Sequence, residues 1–233
     1  MKKVAVLQSN YIPWKGYFDI INDVDLFIFH DDLQYTKGDW RNRNKLITPK
    51  GPAWLTIPVG TSEKRLIDEV VIEDTTWQKK HWSNIVACYS KAPFFKLYKE
   101  FFEHVYLENQ WEFLHKLNRF LIVEISRILG IKTEFADSRK FHTQGVKHEK
   151  LLSLLKAAGA ECYVSGPAAK DYIVAVDYKL TGIDLIWKDY SGYPEYNQLF
   201  GHEFEHGVSI LDLLFNTGSE APYFIWGWRQ KTR

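Results

Sequence analysis

Two cysteines, Cys88 and Cys162, are all that this 233-residue chain holds. With no second pair near either, a four-cysteine zinc site and a disulfide framework are both excluded. Each sits in an apolar run, so the expectation is two buried free thiols in a reducing compartment. A dominant charge is missing too. Thirty Lys and Arg face 29 Asp and Glu, a formal net charge of +1. Nucleic-acid binders carry a basic excess, so no nucleic-acid partner is expected. Long apolar runs are also lacking. The opening Met1-Lys2-Lys3-Val4-Ala5-Val6-Leu7 breaks at Gln8-Ser9-Asn10, too early for a signal-peptide core, and no stretch approaches a membrane span. The chain therefore reads as soluble and cytoplasmic. Neither a Walker lysine nor a G-x-G-x-x-G turn is present, which removes the usual phosphate-loop and dinucleotide fingerprints.

Aromatic residues are plentiful: nine Trp, thirteen Tyr and fifteen Phe. Most are expected in the core, because their buried area dominates packing, and some in a pocket for a sugar or a base. Residues 4–7 and 26–29 are short apolar runs of the kind buried on both faces of a parallel sheet. A helix at 17–21 between them makes a βαβ unit, whose crossover is right-handed. Residues 54–59 read as an edge strand ended by Pro58, and residues 70–72 as another candidate strand. Three helices follow, at about 76–89, 94–107 and 109–130, the last opened by an apparent capping box, Asn109-x-x-Glu112, and ended by Gly130. A helix at 148–158, strands at 162–164 and 185–187, and a last helix capped by Ser209-x-x-Asp212 complete the pattern. No repeat or linker interrupts it. The expected fold is a three-layer α/β domain over residues 1–233, with a mostly parallel sheet and a helical insertion at about 76–130.

In such sheets ligands sit beyond the carboxyl ends of the strands. Gln8-Ser9-Asn10-Tyr11-Ile12-Pro13-Trp14-Lys15-Gly16-Tyr17 occupies that place after the first strand, and Gly16 permits a tight turn into a helix start that favours anions. His30-Asp31-Asp32 follows the second strand. Residues 17–36 carry five aspartates (Asp19, Asp23, Asp25, Asp31, Asp32) and no Lys or Arg; residues 37–50 carry Lys37, Arg41, Arg43, Lys45 and Lys50 against Asp39 alone. Paired carboxylates such as Asp31 and Asp32 can hold Mg²⁺ against a diphosphate, or can form a solvated turn. In Trp40-Arg41-Asn42-Arg43-Asn44 forked guanidinium groups suit phosphate or carboxylate, and a surface loop is the plainer reading. Ser165-Gly166 opens a small-residue turn, followed by Lys170 and Asp171, that can cradle an anion through backbone N–H groups. His202-Glu203-Phe204-Glu205-His206 fits the zinc-protease pattern H-E-x-x-H. That pattern requires a helix. Flanking glycines and a helix start at Ser209 put the pentapeptide in a loop instead, leaving His206 as a candidate acid or base.

The opening motif through Phe18-Asp19, together with Asp31-Asp32-Leu33-Gln34-Tyr35, Trp40-Arg41-Asn42-Arg43-Asn44 and Tyr163-Val164-Ser165-Gly166-Pro167-Ala168-Ala169-Lys170-Asp171-Tyr172, resembles the WbqC-like protein family. Tyr193-Pro194-Glu195-Tyr196 and the segment from Ser209 to Gly218 extend the likeness over nearly the whole chain. More faintly, the opening resembles nucleotidylyltransferases and pantoate–β-alanine ligases, a Rossmann-like analogy of fold. The family resemblance implies a place in O-antigen or related polysaccharide biosynthesis, with an acyl or aminoacyl (possibly glycyl) transferase forming an amide on a nucleotide-linked amino sugar. An activated acyl donor is then the co-substrate, with Mg²⁺ an alternative requirement. Residue types suggest the roles. His206, Asp32 and Asn10 are the catalytic candidates. Gln8, Tyr11, Trp14, Tyr17, Gln34, Trp40, Arg41, Arg43, Asn44, Ser165, Gly166, Lys170 and Asp171 are the substrate-binding candidates. Two alternatives stand beside this reading: a Mg²⁺-dependent nucleotidyl- or glycosyl-transferring enzyme using Asp31 and Asp32, and a non-catalytic sugar-nucleotide binding protein.

Overall fold

The computed structural model describes residues 1–171 and 173–232, with side chains up to residue 229. Five strands form one parallel sheet: β1 (Lys3–Leu7), β2 (Leu26–Phe29), β5 (Glu134–Asp137), β6 (Cys162–Ser165) and β7 (Asp184–Trp187). A two-stranded antiparallel hairpin, β3 (Arg43–Thr48) and β4 (Gly51–Thr56), stands apart. The helices are α1 (Lys15–Asn22), α2 (Trp77–Tyr89), α3 (Phe95–Glu103), α4 (Leu114–Ile128), α5 (His148–Ala157), α6 (Ala175–Leu180) and α7 (Ile210–Thr217).

Strand side chains alternate between two cores, as the pleat requires. Ala5, Phe27, Phe29 and Val164 pack on one face with α1, α2, α3, α4 and α7. Val4, Val6, Leu26, Ile28 and Tyr163 pack on the other with α5 and α6. The result is three layers, helices on both faces of a parallel sheet. The insertion expected at about 76–130 corresponds to α2, α3 and α4.

The sheet order is β5-β2-β1-β6-β7. From β1 the chain winds outward through β2 to β5, then returns to place β6 on the other side of β1. The winding reverses between β1 and β6, which opens a crevice beyond their carboxyl ends.

Several expectations need correction. Asn109 and Glu112 do not cap α4: the Asn109 side chain donates to His104 O at 3.0 Å, closing the π-helical turn His104–Glu108, and Glu112 O accepts from Ile72 N. The strand expected at 54–59 runs from Gly51 to Thr56, pairing with β3 in a hairpin. Residues 70–72 make only an isolated bridge, Val71 to Phe113. The segment after Ser209 behaves as read, with Ser209 Oγ accepting from Leu211 N at 3.2 Å.

Candidate functional site

A cavity of about 530 Å³ fills the crevice between the ends of β1 and β6. The loop after β1 supplies Gln8, Asn10 and Trp14, and α1 adds Tyr17. Trp40 and Arg41 enter from the approach to β3. Ser165 and Gly166 close the far side, with Tyr190 beyond β7.

This loop is held from several directions. Tyr17 donates its hydroxyl to Gln8 O at 2.8 Å. Asn118, buried on α4, donates to Ser9 O and to Arg41 O, tying the β1 loop to the basic segment. Arg41 donates to Gln8 Oε1 at 2.5 Å and to Asp39 Oδ2 at 2.5 Å, so its guanidinium is fixed in place. Trp14 packs edge-on to Tyr190, with ring centroids 5.3 Å apart. Ser165 is buried, with its hydroxyl donating to Tyr163 Oη at 3.2 Å.

Among the described residues, Asn10 Oδ1, Arg41 Nε and His30 Nε2 are buried and lack a hydrogen-bond partner. All three residues line this cavity. Unpaired buried polar atoms are costly, and these three lie in the walls of one cavity. A second cavity of about 330 Å³ adjoins the first through shared walls, Asn10, Trp14 and Trp40, and is completed by Pro13, Asn44 and Gly207.

Other candidates lie elsewhere. Tyr11 is fully buried and turned into the core, its hydroxyl bonded to His81 Nδ1 at 2.8 Å and to Tyr106 Oη at 2.6 Å. Asn44 spends its amide on Tyr11 O and Ile12 O. Arg43 belongs to β3 and stacks on Trp54, 4.2 Å from the ring centroid, outside the first cavity. Gln34 is exposed and donates to Glu63 O. Lys170 lies over Trp187, and Asp171 is exposed; neither lines the cavity. Tyr172, the last residue of that motif, lies outside the described residues.

Asp31 and Asp32 have structural duties. Asp31 is fully buried, accepting from Ser9 N at 2.7 Å and from Arg119 Nε at 2.6 Å. Asp32 accepts from Lys150 Nζ at 2.5 Å and from the Ser138 hydroxyl. Burial pushes the Asp32 carboxyl up, but the bonds from Lys150 and Ser138 outweigh it and hold it below the usual range. Both oxygens of each carboxylate are thus engaged by protein donors.

The His202–His206 stretch is not helical. His202 Nε2 bonds Thr48 O at 3.1 Å, while His206 packs edge-on against Phe204. His206 is exposed and does not line the first cavity, contrary to its candidacy as the base. Partial burial and the nearby Lys15 charge lower its pKa. Lys15 is itself buried among Tyr193, Phe204 and Tyr196, and burial brings it down to about 8.

Sequence reasoning places His30 after the second strand but assigns it no role, and it misses Tyr190, Asn118 and Arg119. Asn118 and Arg119 sit on a helix about which the local pattern says only that it is amphipathic.

The architecture is that of a three-layer α/β protein with a cavity at the reversal of its sheet. The chain belongs to the WbqC-like protein family, whose model matches residues 8–223. It is 46% identical over 227 residues to the uncharacterized protein Rv1507c of Mycobacterium tuberculosis, covering 97% of this chain and 98% of that one. No solved structure matches. No helix among the described residues is long and apolar enough to cross a membrane.

Proposed function

We propose that this protein is an acyl- or aminoacyl-group transferase that forms an amide on a nucleotide-linked amino sugar, in the cytoplasmic assembly of O-antigen or a related surface polysaccharide. The observation that carries this reading is the pair of adjoining cavities with Asn10, Trp14 and Trp40 as common walls. Group transfer brings two ligands together at one point, and a shared wall provides that point. The first cavity lies where Rossmann-like sheets take nucleotides. Arg41 suits the diphosphate, because its fork is already oriented by Gln8 and Asp39. Asn10, a wall of both cavities, suits a polar contact near the reacting amine. Backbone N–H groups at Ser165 and Gly166 suit a developing negative charge. The Mg²⁺-dependent alternative is less favoured, because Asp31 and Asp32 are bound by Arg119, Lys150 and backbone.

The test is a thermal-shift screen of nucleotide-linked amino sugars, acyl-CoA compounds, and ATP with amino acids, followed by mass spectrometry of the mixtures that bind. A ligand at about 100 times its Kd stabilises the fold by about 2.7 kcal/mol. The expected result is stabilisation by an amino-sugar nucleotide and a product heavier by one acyl group. Binding without product from any donor favours the non-catalytic reading, and no stabilisation by any sugar nucleotide contradicts the proposal.

A further inference from the structure

We propose that His30 is the proton acceptor of this site, taking a proton from the ammonium group of the amino sugar while the nearby Asp32 carboxylate balances the imidazolium charge. The inference rests on the reading above, that an amino sugar occupies the first cavity.

His30 is placed by backbone pairing, its N–H donating to Leu7 O at 2.9 Å at the carboxyl end of β2. Its side chain is buried and lines the cavity. Nε2 has no hydrogen-bond partner and lies 3.6 Å from Asp32 Oδ1. Asp32 is held by Lys150 and Ser138, so the carboxylate stands fixed behind the imidazole. An imidazole backed by a fixed carboxylate is a recurring arrangement for proton acceptance, because the carboxylate stabilises the imidazolium that forms.

The other titratable groups are worse placed. Asp31 is fully buried with both oxygens bonded to Ser9 N and Arg119. Asp32 is ion-paired, and His206 lies outside the cavity. Asp31, Asp32 and Lys150 are the charges that face His30. Burial lowers the His30 pKa, with Lys150 adding to the effect and the two aspartates opposing it. The ring is therefore neutral near pH 7, the form that accepts a proton. In the step itself one N–H bond of the sugar ammonium breaks and its electron pair stays on nitrogen. The proton bonds to the imidazole, leaving a free amine as nucleophile and an imidazolium beside Asp32.

The test is histidine NMR on the full chain with UDP-glucosamine, which carries a free amino group, and UDP-N-acetylglucosamine, which carries none. The His30 signal is identified by its loss in His30→Gln or, should that variant not fold, in His30→Asn. We expect the His30 titration to shift to lower pH with saturating UDP-glucosamine, whose ammonium then lies against the ring, and to shift less with the acetylated sugar. In Asp32→Asn, which keeps the ring and removes its counter-charge, His30 should titrate lower still. Binding of UDP-glucosamine with the same His30 titration as the acetylated sugar overturns this inference alone. Failure of both sugars to bind the wild type overturns it together with the reading on which it rests.

Discussion

His81 joins three parts of the molecule through one neutral ring. Its Nδ1 meets the Tyr11 hydroxyl at 2.8 Å, and its Nε2 meets Thr56 O at 3.0 Å, so α2, the β1 loop and the hairpin meet there. Burial holds its pKa down to about 4, from an ordinary 6.5. The folded state therefore refuses a proton that the unfolded chain accepts. Stability should fall as pH drops below about 6.5 and level off near 4, by up to about 3 kcal/mol in all. Urea denaturation at about pH 7.5 and about pH 5 checks this, and His81→Gln should flatten that part of the profile. Arg119 is a second decisive residue. It neutralises the fully buried Asp31 and also bonds Asp137. Arg119→Met leaves a buried carboxylate without its cation and should cost about 3–5 kcal/mol in chemical denaturation. A loss below about 1 kcal/mol would mean that Asp31 does not depend on the pair.

Among the elements, the first turn of α1 governs the cavity wall. Trp14 folds back over Gly16 so closely that a Cβ there would run into the indole ring. Gly16→Ala should displace Trp14, destabilise the fold by about 1–3 kcal/mol, and weaken ligand binding more than a substitution at exposed Trp54. Calorimetry alongside circular dichroism separates the two effects. The elements differed in how well they could be read. The strands β1, β2 and β6 announce themselves because their apolar runs are buried or half-buried and flanked by polar turns, and β7 because Leu185-Ile186-Trp187 is apolar although Ile186 is exposed. By contrast β5, Glu134-Phe135-Ala136-Asp137, is short, charged at both ends and on the sheet edge, so it carries no apolar signal. The polar Arg43-Asn44-Lys45 run hid β3, because its cations lie over Trp54 and Asn44 bonds the β1 loop. The apparent capping box at Asn109 misled because its residue types are right while their partners belong to the turn before and the strand-like segment at Ile72.

At the scale of the whole molecule, the placement of the site follows from one topological fact, the return of the chain to place β6 beside β1. Placing motifs after strands was enough to gather Gln8, Asn10, Arg41 and Ser165 around one cavity. It could not separate Arg41 from Arg43, two residues apart in sequence. Only the fold shows that Arg41 turns to Gln8 while Arg43 lies on Trp54. Nor could it show that Asp31 is committed to Arg119, a partner on a distant helix. The central claim, that this cavity takes a nucleotide-linked sugar through Arg41, is tested most directly by calorimetric titration of UDP-N-acetylglucosamine into wild type, Arg41→Ala and Arg43→Ala. A charge-assisted hydrogen bond is worth about 1.5–3 kcal/mol, so Arg41→Ala should weaken binding roughly ten- to a hundred-fold, whereas Arg43→Ala should leave it within about two-fold. Loss of affinity in Arg43→Ala with Arg41→Ala unchanged, both folded, would contradict the account and move the ligand to the hairpin face.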